Sequence, residues 1–153
     1  MQDFSIKKVA PATHQDALSL IKELDTELLQ KYPGNSVHTL DLQKTNSQNS
    51  VFLIGYLKGQ AVACGAISQL SGQIAEIKRV YVRPQARGMG LSKLLLKQLE
   101  QEAVQVGFTV LRLETGTRQP ESQGLYRKTG YTNIPKFGKY VDDPFSICME
   151  KKL

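Results

Sequence analysis

The chain has 153 residues, 41% hydrophobic and 22% charged, with 20 basic against 14 acidic side chains for a net charge of +6. That length suits one domain, residues 1–153, whose core needs neither disulfide nor metal, and the composition excludes global disorder. No apolar run approaches the roughly 20 residues that span a bilayer. The start, Met1-Gln2-Asp3-Phe4, lacks the basic and apolar regions of a signal peptide, so the expected location is the cytoplasm.

Phe4 to Val9 alternates apolar and polar residues and predicts a first strand. From His14 to Lys31, Ala17, Leu18, Ile21, Leu24, Leu28 and Leu29 share one helical face, and Pro33-Gly34 ends the helix. Residues 35–50 are polar and read as a short helix and a loop. Val51–Leu57 and Ala61–Ser68 are apolar strands around a Lys58-Gly59 hairpin turn, and Gln73–Arg83 is another strand. Arg87-Gly88 opens a long helix striped by Leu91, Leu94, Leu95, Leu99, Ala103 and Val106, with Gly107 placed to stop it. Thr109–Glu114 predicts a strand, Glu121–Lys128 a short helix and Phe145–Glu150 a closing strand. Consecutive strands followed by alternating helix and strand imply an α/β class, a mixed sheet with helices on both faces.

Cys64 and Cys148 lie in apolar, strand-like surroundings and read as reduced, buried small hydrophobes. Neither His14 nor His38 forms a recognisable Cys-His signature, and clustered metal ligands are absent, so no metal site is expected. The positive charge favours an anionic partner, but it is dispersed and comes without an aromatic-rich RNA-binding signature or zinc-finger spacing. A phosphate-rich cofactor accounts for it without nucleic acid or membrane.

The most informative segment runs from Val80 through Tyr81, Val82, Arg83, Pro84, Gln85, Ala86, Arg87, Gly88, Met89 and Gly90 to Leu91. A strand enters a glycine-bearing turn and then a long amphipathic helix. The first amides of such a helix have no intrahelical partner, glycine lets an anion approach the backbone, and the helix dipole favours negative charge. Arg83 and Arg87 add positive charge nearby. Gly-x-Gly before a helix also fits a tight turn without ligand. The dinucleotide fingerprint wants glycine where Lys93 stands, and the P-loop sequence is missing.

Gln85-Ala86-Arg87-Gly88-Met89-Gly90 resembles the Gln/Arg-x-x-Gly-x-Gly/Ala element of the GNAT superfamily of N-acetyltransferases. Leu125-Tyr126-Arg127-Lys128-Thr129-Gly130-Tyr131 resembles its second signature. The likeness runs from Phe4 to the last strand. It implies the GNAT-type acyl-CoA N-acyltransferase fold: a central, mixed, mostly antiparallel sheet with helices on both faces. It further implies transfer of acetyl from acetyl-CoA to an amine by direct attack in a ternary complex. By the same resemblance, the amides from Gln85 to Gly90, with Leu91 and Ser92, hold the CoA diphosphate. The main chain of Val80, Tyr81 and Val82 flanks the pantetheine arm, with Val80 and Val82 pairing to it like a strand. Gln119 stands where many members carry a pantetheine-binding asparagine. Tyr126 is expected to protonate the leaving thiolate.

By the same resemblance Glu76, at a strand position some members use to deprotonate the amine, is the candidate base, with Glu114 in reserve; a surface glutamate paired with a neighbouring lysine or arginine is the alternative reading of Glu76. Ala75 and Ile77 are out of phase with Val80 and Val82, so one extra residue near Lys78-Arg79, a β-bulge, restores the alternation and offers an oxyanion donor. Lys93, Arg127 and Lys128 are reserves for the ribose phosphate, though solvated helix faces explain them equally. Tyr140, Asp142 and Asp143 sit in a Gly/Pro-punctuated loop that either lines an acceptor site or is simply solvated. The acceptor is a small-molecule or peptide amine, and a homodimer is left open. The rival reading is a catalytically silent module of the same fold that binds CoA or a protein partner.

Overall fold

In the computed structural model, which describes residues 3–36 and 49–153, strand β1 (Phe4–Lys8) leads into helix α1 (Gln15–Lys31). Strands β2 (Val51–Leu57), β3 (Gln60–Ser71) and β4 (Ile74–Val82) follow, then helix α2 (Leu91–Val106), strand β5 (Val110–Gly116) and helix α3 (Pro120–Lys128). Two last strands, β6 (Thr132–Ile134) and β7 (Ser146–Lys152), complete one sheet in the order β1-β2-β3-β4-β5-β7-β6. Every neighbouring pair is antiparallel except β4 with β5, which α2 connects. The expected mixed, mostly antiparallel sheet is therefore present. β6 was not expected, and of the expected helix within 35–50 the described residues include a 3-10 turn at Gly34–Ser36. The rest of that stretch through position 48, and His38, lie outside the described residues.

The helices cover opposite faces of the sheet. On α1, Ala17, Leu20, Ile21 and Leu24 recur at helical spacing and pack on Phe52, Ile54, Cys64, Ala66 and Tyr81. Leu18 and Leu29, expected on that face, lie off the stripe and stay 40% and 56% exposed. On α2, Leu91, Leu95, Leu99 and Ala103 recur every fourth residue and, with Leu96, pack on Leu53, Ala63, Ile67, Ile77 and Leu113. Each buried leucine stabilises the packing by about 1.5–3 kcal/mol. Leu94 and Val106, also expected in the stripe, face outward. Gly65 lets α2 approach this closely, since a Cβ there would lie 2.9 Å from Leu99 Cδ1. Gly107 ends α2 as expected, at φ +107°, its amide donating to the Ala103 and Val104 carbonyls.

Two departures from regularity create the site. The Lys78–Ala66 and Tyr81–Cys64 pairs enclose only Gly65 on β3 but both Arg79 and Val80 on β4. This is the expected bulge, with Arg79 in the left-handed region at φ +59°. Immediately before it, β4 parts from β5: their pairing runs from Ile74–Val110 to Ile77–Leu113 and ends. Beyond those residues the strands diverge around an open cleft. Both cysteines are free and buried. Among the described residues no helix is long and apolar enough to cross a membrane.

Candidate active site

The cleft between the diverging strands is lined on the β4 side by Glu76, Lys78, Arg79 and Val80 and on the β5 side by Glu114, Thr115 and Gly116. Gln119 and Tyr126 of the α3 region close one side, with Leu24, Leu28 and Tyr32 from the α1 region and Tyr140 and Phe145 from the β6–β7 connection closing the rest. Glu76, Val80, Gln119 and Tyr126, separated by up to fifty residues of chain, thus meet in one cavity.

The turn after β4 places its donors unevenly. Ala86 and Arg87 donate their amides to the Arg83 and Pro84 carbonyls, so those two of the expected phosphate-binding amides are already used. The amides of Gly88, Met89, Gly90, Leu91 and Ser92 meet no acceptor among the described residues. Gly88 and Gly90 adopt φ +80° and +77°, and a Cβ on either would meet nothing within 4 Å. Consecutive free amides at a helix start, with open space before them, form an anion-binding nest.

The two arginines of this turn do not join it. Arg83 pairs with Glu23 of α1 through Nη2 at 2.7 Å and Nε at 3.0 Å, and its Nη1 donates to the Ala61 carbonyl. Arg87 reaches Glu27 at 2.7 Å and donates from Nε to the Val82 carbonyl. Both guanidinium charges are offset by α1 carboxylates, which corrects the expectation that they add local positive field. Such partly exposed pairs contribute about 0–1 kcal/mol each, so their effect is to fix α1 against the turn rather than to stabilise the fold.

The open edge of β4 is also more selective than expected. The Arg83 amide bonds the Val62 carbonyl, which makes Val82–Ala63 a non-hydrogen-bonded pair and turns the Val82 amide and carbonyl away from β3. Arg87 takes that carbonyl, and the amide is left. Tyr81 turns its side chain to α1, where its hydroxyl lies 3.4 Å from Glu23, so it does not line the cleft.

Tyr126 is 7% exposed, its ring set edge-on to Tyr131 at 5.7 Å, and its hydroxyl has no hydrogen-bond partner among the described residues. Burial, then the charge of Glu114, pushes its pKa well above the ordinary tyrosine value, so the hydroxyl keeps its proton. Gln119 caps α3, and its Oε1 accepts from the Gly116 amide at 3.1 Å and the Tyr32 hydroxyl at 3.3 Å. Its side-chain nitrogen is left for a ligand.

Glu76 is 4% exposed; its Oε2 accepts from the Tyr140 hydroxyl at 2.6 Å and its Oε1 lies 3.7 Å from Lys78 Nζ. Glu114 accepts from Ser146 Oγ at 2.7 Å, and burial lifts its pKa from 4.5 to about 7 against the opposing pull of that hydrogen bond. Asp143 is structural: its Oδ1 accepts from Ser36 Oγ and the Phe145 amide, whereas Asp142 is exposed. Lys93, Arg127 and Lys128 are exposed helix residues. Sequence reasoning missed Tyr32 and Phe145, which reach the cleft from distant elements and belong to no local motif.

A sheet parted at one parallel pair, a free-amide turn feeding a helix, and a buried tyrosine beside two carboxylates define an acyltransferase. The sequence model of the Acetyltransferase (GNAT) family matches residues 18–131. The chain belongs to that family and is an acetyltransferase. Over the full length of both chains it is 41% identical to an IAA acetyltransferase of Azospirillum brasilense. It is 28% identical to the N-acetyltransferase YsnE of Bacillus subtilis, covering 95% of this chain and 98% of that one. A solved Klebsiella pneumoniae structure, given as an acyl-CoA N-acyltransferase, matches with a TM-score of 0.82 at 36% identity, covering 98% and 97% of the two chains. The yncA acetyltransferase structure from Salmonella typhimurium, which holds acetyl-CoA, shares the fold with a TM-score of 0.76 at 19% identity, covering 99% and 94%.

Proposed function

We propose that residues 1–153 act as a single N-acetyltransferase domain that carries acetyl from acetyl-CoA to an amine by direct attack. The observation that carries this reading is the continuity of the free amides at Gly88–Ser92 with the open edge of β4 and the cleft holding Tyr126. The amides grip the diphosphate. The pantetheine arm lies along β4 beside Val80 and the Val82 amide, in the manner of an added strand, and the Gln119 amide nitrogen contacts it. Ala86 and Arg87 shape the turn instead of donating their amides to phosphate, and Gln85, whose amide no backbone carbonyl takes, remains with the donors.

The thioester then sits where the strands part. The incoming amine must lose a proton, and two carboxylates, Glu76 and Glu114, stand on the cleft wall to receive it. An amide of the Lys78–Val80 bulge offers the carbonyl oxygen a hydrogen bond as it gains charge. Tyr126 donates to the sulfur as the C–S bond breaks; its buried hydroxyl stays protonated until negative charge develops there. The remaining cleft, walled by Tyr32, Tyr140 and Phe145, admits a small-molecule or peptide amine.

The test is to mix protein and acetyl-CoA with a panel of primary amines and, as a separate acceptor, with IAA, because a full-length relative bears its name, and to follow free thiol. Thiol release that depends on one acceptor class supports the assignment. Absence of acetyl-CoA binding removes it, and binding with no release for any acceptor leaves a silent module.

A further inference from the structure

Glu76 and Glu114 are not equivalent. In the parallel pairing Glu76 stands opposite Arg112, inside the closed part of the β4–β5 ladder. Glu114 is the first β5 residue beyond the last pair, at the point where the cleft opens, and alternation puts both carboxylates on one face of the sheet. Their partners differ as well. The Tyr140 hydroxyl covers Glu76 Oε2 at 2.6 Å, and Lys78 stands 3.7 Å from Oε1. A proton leaving an amine would reach Glu76 only by displacing Tyr140 from Oε2 or by entering at Oε1 beside the Lys78 ammonium, whose charge favours the ionised carboxylate. On Glu114, Ser146 holds Oε2 and no described residue bonds Oε1, which is left for substrate.

We propose that Glu114 accepts the amine proton, and that Glu76 is a positioning residue that holds Tyr140 and the β6–β7 connection over the acceptor side of the cleft. This rests on the acetyl-transfer reading above. The amine nitrogen gives a proton to Glu114 and forms the C–N bond to the acetyl carbon. The C–S bond breaks, and the sulfur takes the Tyr126 proton. The proton on Glu114 then returns to the Tyr126 phenolate, directly or through water, so amine and acetyl-CoA become amide and free thiol with nothing left over.

The surroundings suit the task. Ser146 and Cys148 face Glu114 from β7, Glu76 and Arg79 from β4, Tyr126 from α3, Tyr32 from just beyond α1, and Tyr140, Asp143 and Lys139 from the β6–β7 connection. Burial, Asp143 and Glu76 push its pKa up while Ser146 and Lys139 pull it down, leaving it at about 7, where a base works best near neutrality. Tyr140 is pushed well above the ordinary tyrosine value, first by burial and then by Glu76, so it remains a donor to Glu76 throughout.

The experiment is the pH profile of kcat/KM with acetyl-CoA and whichever amine the panel identifies, for wild type, Glu114→Gln, Glu76→Gln, Tyr140→Phe and Glu76→Gln/Tyr140→Phe. Acetyl-CoA binding is measured in each to separate lost chemistry from lost fold. The expected result is a loss of about 10²-fold or more in Glu114→Gln, with the acidic limb near pH 7 abolished and cofactor binding kept. Glu76→Gln and Tyr140→Phe keep the limb and raise KM for the amine, and the double variant is no worse than either single one. Should Glu114→Gln not fold, Glu114→Asp must retain the limb and move it. A limb that survives in Glu114→Gln but vanishes in Glu76→Gln, or one that tracks only the acceptor's own pKa, overturns the assignment. Wild type that never releases thiol refutes the acetyl-transfer reading itself, a result distinguishable from the first because no variant is involved.

Discussion

A Cβ added to Gly116 would lie 1.9 Å from the Tyr32 hydroxyl oxygen. Tyr32 stands just beyond α1, yet its hydroxyl accepts the Arg118 amide at 2.9 Å and donates to Gln119 Oε1, and its ring meets Phe145 edge-on at 5.9 Å. The end of β5 is therefore glycine because a tyrosine from just beyond α1 fills the space. Gly116→Ala should destabilise the protein by about 1–3 kcal/mol, as overpacking does, and raise KM for acetyl-CoA by shifting Gln119. Urea unfolding checks the first effect. In a Tyr32→Ala background the same substitution should cost clearly less; an equal cost in both backgrounds would show that the two residues do not compete for the space.

Gly90 carries a different constraint. At φ +77°, with nothing within 4 Å of its missing Cβ, it is glycine for backbone conformation and for the approach of a ligand, not for packing against the protein. Gly90→Ala should cost about 1–2 kcal/mol of stability through left-handed strain. Its larger effect should be a rise of about tenfold in KM for acetyl-CoA, the equivalent of about 1.4 kcal/mol, as the methyl group enters the phosphate nest. Steady-state kinetics at varied acetyl-CoA measures this, and an unchanged KM would place the diphosphate elsewhere.

The contrast between these glycines shows which features were legible in the sequence. Gly90, Gly107 and the Lys58-Gly59 hairpin act on the backbone beside them, and local pattern exposes them; Lys58 and Gly59 indeed both take positive φ. The bulge at Arg79 could be read because it throws apolar alternation out of phase within one strand. Gly116 looks ordinary until Tyr32 arrives from 84 positions away. In the same way, Arg83 and Arg87 resemble phosphate ligands in sequence, and only the folded chain brings Glu23 and Glu27, 60 positions upstream, to neutralise them. β6 is three residues with no fully buried side chain, held by pairing with β7 alone, so it carries no hydrophobic signal. Glu76 was identifiable as a cleft carboxylate, but its Tyr140 partner, 64 positions on, was not.

Tyr126→Phe separates chemistry from packing. The hydroxyl bonds no described residue, so its removal leaves no broken protein hydrogen bond, and unfolding free energy should change by no more than about 0.5 kcal/mol. Acetyl-CoA affinity should hold, because the ring keeps its edge contact with Tyr131. Turnover should fall about 10²-fold, the lower range for a lost proton donor. Stopped assays of thiol release, alongside calorimetric binding of acetyl-CoA, give both quantities; wild-type turnover in the variant would take Tyr126 out of the reaction.

Glu114 also links stability to pH. Its carboxyl titrates at about 7 when folded, against an ordinary 4.5, because burial penalises the charged form. The folded state therefore holds a proton that the unfolded chain releases, and the gradient of stability with pH is negative between those values. This contribution is complete below pH 4.5, declines as pH rises, and is gone above 7. Its full size is on the order of 1–3 kcal/mol, reduced by the cleft's contact with solvent. Glu114→Gln cannot ionise, so relative to wild type it should gain most of that amount on going from pH 5 to pH 8. Urea unfolding of both proteins at the two pH values measures the difference. A constant gap would mean that the folded protein does not hold this carboxyl near neutrality, and a base with an ordinary pKa would then be mostly ionised throughout the working range.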